Sequence, residues 1–150
     1  MTTHPDFEEF LLLLEEKQVE YMIVGGYAVA FHGYPRFTKD IDIFFDASPD
    51  NVARLQEALI AFGFEREALP DEAFTRKDAL LIFGSPPTRV DLLNFIDGVS
   101  FADARPNAVR GRYGAAEVSF IGRADLIRNK RATPRAQDKV DADALDGESP

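Results

Sequence analysis

Phe7, Phe10, Leu11 and Leu14 recur at intervals of three and four near the start of the chain, with Asp6 before them and Glu8 and Glu9 between. That spacing lays the apolar side chains along one face of an α-helix, and Pro5 and the acidic residues suit its positive end. YMIV then stops at Gly25-Gly26, which predicts a short buried strand and a sharp turn. YAVAFHG reads as a short helix closed by Gly33, and YPRFTK as a loop broken by Pro35. DIDIFF is a second strand. Ser48 and Pro49 suit the cap and first position of a helix that runs through Val52, Leu55, Leu59 and Phe62 and stops at Gly63.

ALLIFG and RVDLLNF predict two strands joined by SPPT, a connection too short for a parallel crossover. EVSFI predicts another short strand, ADLIRNKRAT and PRAQDKVDADAL two helices, the second opened by Pro134, and DGESP a frayed tail. The order of elements predicts an α/β (α+β) layer fold, a mixed β-sheet flanked by helices. A chain of 150 residues is expected to form one domain, with a core over about 5–97 and C-terminal helices over about 123–145.

Composition narrows the class. Apolar residues make up 45 % and include 13 Phe, enough for a packed core. The chain has no Cys and two His, so thiol chemistry is excluded and any metal site would depend chiefly on carboxylates. No apolar run is long enough to span a bilayer, and the first residues lack the pattern of a secretory signal. A cytoplasmic protein with no membrane partner is expected. The formal net charge of −9 argues against general nucleic-acid binding. Yet from Arg105 to Arg135 eight basic residues face two acidic ones, Glu117 and Asp125. This segment is either a solvated surface or a basic wall toward an anionic ligand.

Asp40 and Asp42 interrupt the second strand. Alternate side chains on a strand share a face, so the two carboxylates are expected at a cleft while Ile41 and Ile43 pack into the core. Two strand rises put their Cβ atoms about 6.5–7 Å apart. Such close like charges repel, and a divalent cation would relieve them; without one, Asp40→Asn is expected to raise stability slightly. Asp91 interrupts RVDLLNF in the same way. If its strand neighbours DIDIFF, three carboxylates suit Mg²⁺ (or Mn²⁺) and a metal-assisted phosphoryl transfer. The plain alternative is solvated aspartates, or aspartates paired with Arg36 and Arg89.

Gly25 and Gly26 stand between strand and helix, where backbone can approach a phosphate closely and helix N–H groups point at it; a tight turn is the simpler reading of a Gly-Gly pair. In the loop, Arg36 is placed to bind phosphate or brace an aspartate, and Thr38 to bond the strand entry; Lys39 is expected to face solvent. His32 is expected to serve structure by donating to the loop backbone.

VGGYAVAFHGYPRFTKDIDIF followed by RVDLLNF resembles the nucleotidyltransferase superfamily with the DNA polymerase β-like fold, over roughly residues 20–95. The resemblance is closest to its small bacterial branch, which includes nucleotidyltransferase-like toxins of toxin–antitoxin systems. It implies that Asp40, Asp42 and Asp91 bind Mg²⁺ and that Gly25 and Gly26 hold nucleotide phosphates. The tail resembles the branch in its Lys, Arg and Asp, placed here at Lys130, Arg135 and Asp138, with Lys130 reaching the triphosphate. The implied reaction moves a nucleoside monophosphate from NTP, ATP among the candidates, to a hydroxyl of an RNA, protein or small-molecule acceptor. An antitoxin or a homodimer partner is also implied. The chain departs from many active members in having Gly26 where they carry Ser, and in lacking length for an acceptor-binding domain. The alternative on the same fold is an inactive module that binds nucleotide or a partner.

Overall fold

A computed structural model of the chain describes residues 3–34, 40–85 and 87–147. The first apolar stripe forms α1 (Pro5–Glu16), with Phe7, Phe10, Leu11 and Leu14 buried. β1 (Tyr21–Val24) follows and runs directly into α2 (Gly25–Phe31), so Gly25 is itself the first helical residue. β2 (Asp40–Phe45) leads to α3 (Pro49–Phe62), which Gly63 ends at φ +130°. Ser48 occupies the cap position, but its hydroxyl donates to Asp46 instead of closing the helix.

A short 3₁₀ turn and α4 (Asp71–Thr75) precede the antiparallel pair β3 (Leu80–Phe83) and β4 (Arg89–Leu93). After α5 (Phe101–Ala104) come the hairpin strands β5 (Val109–Tyr113) and β6 (Ala116–Phe120), then α6 (Arg123–Ala132) and α7 (Ala136–Gly147). Among the described residues no helix is long and apolar enough to cross a membrane.

The six strands form one mixed sheet in the order β3-β4-β2-β1-β6-β5. β2 pairs parallel with β4, β1 parallel with β6, and the remaining neighbours are antiparallel. The sheet thus extends beyond residue 97, because β6 docks against β1. Its register sorts side chains between two faces. Ile41, Ile43 and Phe45 lie with Leu81, Phe83, Val90 and Leu92 on one face, where Phe10 of α1 and Leu59 and Phe62 of α3 meet Phe83 and Val90. Burial of these side chains, each worth about 1.5–3 kcal/mol, fixes which face β2 turns outward. Asp40, Asp42 and Phe44 occupy the opposite face. Phe44 is covered there by Phe101 of α5 at a ring separation of 5.2 Å, while Asp42 faces the end of α6 across a cleft.

A candidate carboxylate cleft

The parallel register of β2 and β4 sets Asp42 opposite Asp91 and Asp40 opposite Arg89. All four therefore lie on the sheet face away from α1 and α3. Asp91 is buried, and the other three are half-buried. Two acidic strand positions distant in sequence become neighbours because β4 inserts beside β2.

Asp42 carries the strongest electrostatic strain of the cluster. Burial, the charges of Asp91 and Asp40, and a hydrogen bond shared with Asp91 push its carboxyl up to about 7, against a smaller opposing pull from Lys130. The Asp42–Asp91 pair therefore holds a proton well above the pH at which an exposed aspartate loses it.

Arg89 and Asp91 are two residues apart on one strand, so they share a face. Arg89 Nε donates to Asp91 Oδ1 at 2.8 Å and Nη2 to Asp91 Oδ2 at 3.0 Å, while Asp40 Oδ2 lies 3.8 Å from Nε. The pairing of aspartate with Arg89 weighed from sequence is thus present. Arg36 and Thr38, the loop residues expected at phosphate or strand entry, lie outside the described residues, as does Lys39.

Gly25 adopts φ +69°, a conformation costly for other residues. A Cβ built there would stand 2.1 Å from Asp42 Oδ2. The missing side chain thus makes room for the carboxylate of β2. Gly26 follows as the second residue of α2. His32 serves structure as expected, but its Nε2 meets the carbonyl of Ile121 at 2.8 Å, which ties α2 to the end of β6.

A cleft of about 260 Å³ opens beside this cluster and reaches it at Asp42; Gly25 and Asp42 bound it on one side, and Phe95, Asp97, Asn129, Lys130, Thr133 and Arg135 on the other. Lys130 and Thr133 are one helical turn apart at the end of α6, which turns both toward the sheet. Lys130 is buried; its Nζ is 2.9 Å from Asp138 Oδ1 and 3.5 Å from Asp141 Oδ2, both on α7. Thr133 donates to Asp138 at 2.7 Å, and Arg135 does so at 2.8 Å. Burial favours the neutral Asp138 carboxyl, but hydrogen bonds from Thr133 and Lys130 and the charges of Lys130 and Arg135 outweigh it and hold the group below its usual range. Lys130 thus fastens α6 to α7 while standing at the cleft wall. Thr133 and Asp141 join the site without a signal in the sequence, whereas the i, i+2 spacing of Arg89 and Asp91 on a strand is the signal for their pairing.

The rest of the basic segment disperses. Arg105 pairs with Glu20, Arg110 with Glu15, Arg128 with Asp125 and Arg131 with Asp146, at 2.7–2.9 Å. The solvated, paired reading describes these residues, and Lys130 and Arg135 are the members that line the cleft.

The donors gathered around Asp42 are hard carboxylate oxygens, crowded by like charge, which is the chemistry a small divalent cation suits. Among the described residues, however, no group of three or more His, Cys, Asp or Glu side chains is set to hold a metal ion as it stands. Arg89 takes both oxygens of Asp91, so cation binding requires rearrangement of these side chains. No model of a known protein family matches the chain, and no curated protein matches it.

Proposed function

We propose that this protein is a divalent-cation-dependent nucleotidyltransferase, transferring a nucleoside monophosphate from an NTP to an acceptor hydroxyl. The observation that carries the reading is the register of Asp42 against Asp91, beside Gly25 and under a wall that includes Lys130 and Arg135. The resemblance of residues 20–95 to the nucleotidyltransferase superfamily supports it. A cleft with acids on its floor and cations on its wall has the charge layout for a nucleotide–cation complex.

Asp40, Asp42 and Asp91 would hold Mg²⁺ or Mn²⁺. When bound, the ion neutralises phosphate charge and lowers the pKa of the attacking hydroxyl. The acceptor oxygen would form a bond to the α-phosphorus as the bond to pyrophosphate breaks, with Asp91 helping to take the hydroxyl proton. Gly25 and Gly26 begin α2 without side chains of their own, which would let a phosphate approach the backbone there. Lys130 and Arg135 balance charge on the triphosphate and the departing pyrophosphate.

Incubation with each labelled NTP, Mg²⁺ and total cellular RNA or protein tests the reading. Label should pass to one acceptor pool and be lost in Asp42→Ala. Failure of transfer with every NTP and both pools, together with no change in melting temperature on adding nucleotide and Mn²⁺, would overturn it. A second reading, an inactive nucleotide- or partner-binding module, draws on the bidentate hold of Arg89 on Asp91. Nucleotide binding without transfer would favour it.

A further inference from the structure

Arg89 has no part in the reaction just described, yet it makes the closest charged contact at the carboxylates. Among the described residues it donates to the two oxygens of one carboxylate, Asp91, and an oxygen of a second carboxylate, Asp40, is 3.8 Å away. Its strand position allows this arrangement: Arg89 lies opposite Asp40, and Asp91, two residues on, shares its face and lies opposite Asp42. A planar guanidinium with parallel N–H donors matches a carboxylate better than any other side chain does. About a third of the Arg89 side chain is exposed, compared with 12 % of the Asp91 side chain. The guanidinium is therefore the more exposed member of the pair, so the arginine has solvent to move into.

We propose that Arg89 is an internal counter-cation of the carboxylate cluster: it occupies Asp91, within reach of Asp40, until a divalent cation displaces it. The inference rests on the reading of the three carboxylates as a cation site and adds a residue that governs their occupancy. In the ion-free protein the guanidinium offsets part of the repulsion among Asp40, Asp42 and Asp91. A cation that needs the Asp91 oxygens must break a bidentate charged pair first, so its apparent affinity is lowered by the strength of that pair. Such a device keeps the site closed to stray cations and opens it when the incoming complex gives more than the pair withholds.

Titration of the metal-free full chain with Mn²⁺ at pH 8, read by calorimetry and by the free-ion spin signal, tests this on wild type, Arg89→Gln and Arg89→Lys. Arg89→Gln should bind Mn²⁺ about tenfold tighter or more, because no charged pair is displaced. Arg89→Lys keeps the charge but loses the fork and should fall between the two. In wild type, the Arg89 Nε–H resonance should exchange faster with water on adding diamagnetic Mg²⁺, a readout that needs no variant to fold. Unchanged or weaker Mn²⁺ affinity in both variants, with wild type binding normally, would overturn the counter-cation role and leave the cation site standing. Tighter binding in Arg89→Gln alone, with Arg89→Lys equal to wild type, would reduce Arg89 to a distant charge and overturn displacement. Absence of Mn²⁺ binding in all three, with or without NTP, would overturn both this role and the cation reading beneath it.

Discussion

Asp42 lies against Gly25, opposite Asp91 and within the field of Lys130, and its ionisation should be visible in the stability of the whole chain. The folded chain keeps a proton on this carboxyl up to about pH 7, whereas the unfolded chain releases it near the ordinary value of 3.8. Stability from this group is therefore complete below about pH 4. It falls as pH rises, by up to about 1.4 kcal/mol per pH unit, and is lost above about pH 7. Asp42→Asn removes the dependence. Thermal melts in chelator should show Asp42→Asn gaining on wild type from pH 4 to pH 7, with a constant advantage above that. A pH-independent difference between the two would contradict the crowding inferred here. Arg89 stands 3.8 Å from Asp40, so relief of repulsion is expected more from position 42 than from Asp40→Asn.

Gly25 is the second informative residue. Its positive φ and the carboxylate 2.1 Å from a built Cβ both oppose any side chain. Gly25→Ala should lower stability by about 1–3 kcal/mol from backbone strain alone, with a further cost for moving Asp42. Denaturant unfolding measures the loss, and a variant as stable as wild type would show that β2 and α2 can separate without cost.

At the scale of elements, two buried polar side chains hold the framework. Asn51 at the start of α3 is fully buried, accepts from the Glu20 N–H, and donates to the carbonyls of Glu20 and Asp46. It ties α3 to the ends of β1 and β2. Asn51→Ala would orphan those groups at a cost of about 1–3 kcal/mol each where no water replaces the partner. A clear fall in the urea midpoint is expected with the slope unchanged. Lys130 does the same for α6 and α7. Lys130→Met would leave Asp138 and Asp141 buried without their shared cation, a loss of about 3–5 kcal/mol. Melting experiments on the variant should show it, so any loss of nucleotide binding there must be compared with Arg135→Ala, whose side chain is exposed.

Elements also show where pattern reading succeeds. β2, β4, α1 and α3 were legible because each buries one face against a common core, which imposes period 2 or 3.6 on the sequence. β5 was not: it is a sheet edge, with Val109 exposed and Arg110 and Arg112 facing outward. Its Gly111 is needed because a Cβ would strike the Phe31 ring at 2.4 Å, a contact from a distant helix that leaves no local trace. The short α4 and α5 are also below the length at which helical periodicity can be read.

For the molecule as a whole, the net charge of −9 and the pairing of dispersed arginines with carboxylates bear on partners. A surface arginine already paired with glutamate or aspartate contributes little to phosphate binding. Random-sequence RNA and duplex DNA should show no measurable retention in gel-shift assays near physiological salt. Strong, length-dependent binding would mean that the paired arginines exchange partners readily and that the wall beyond Lys130 and Arg135 is larger than the cleft.

The sequence by itself determined that Asp40 and Asp42 share a face, that Ile41 and Ile43 oppose them, and that a strand before the double glycine is followed by a helix after it. These are consequences of local geometry, in which the strand period and the needs of an apolar face act over a few residues. Only the tertiary structure decided that Asp91 stands beside Asp42, that Arg89 occupies Asp91, and that Lys130 is shared with Asp138 and Asp141. Strand order and register are settled by the packing of the whole core, and no single segment carries that information. The basic segment shows the same limit: its charges were countable along the chain, but folding distributed them to partners on α1, on the approach to β1 and on α7.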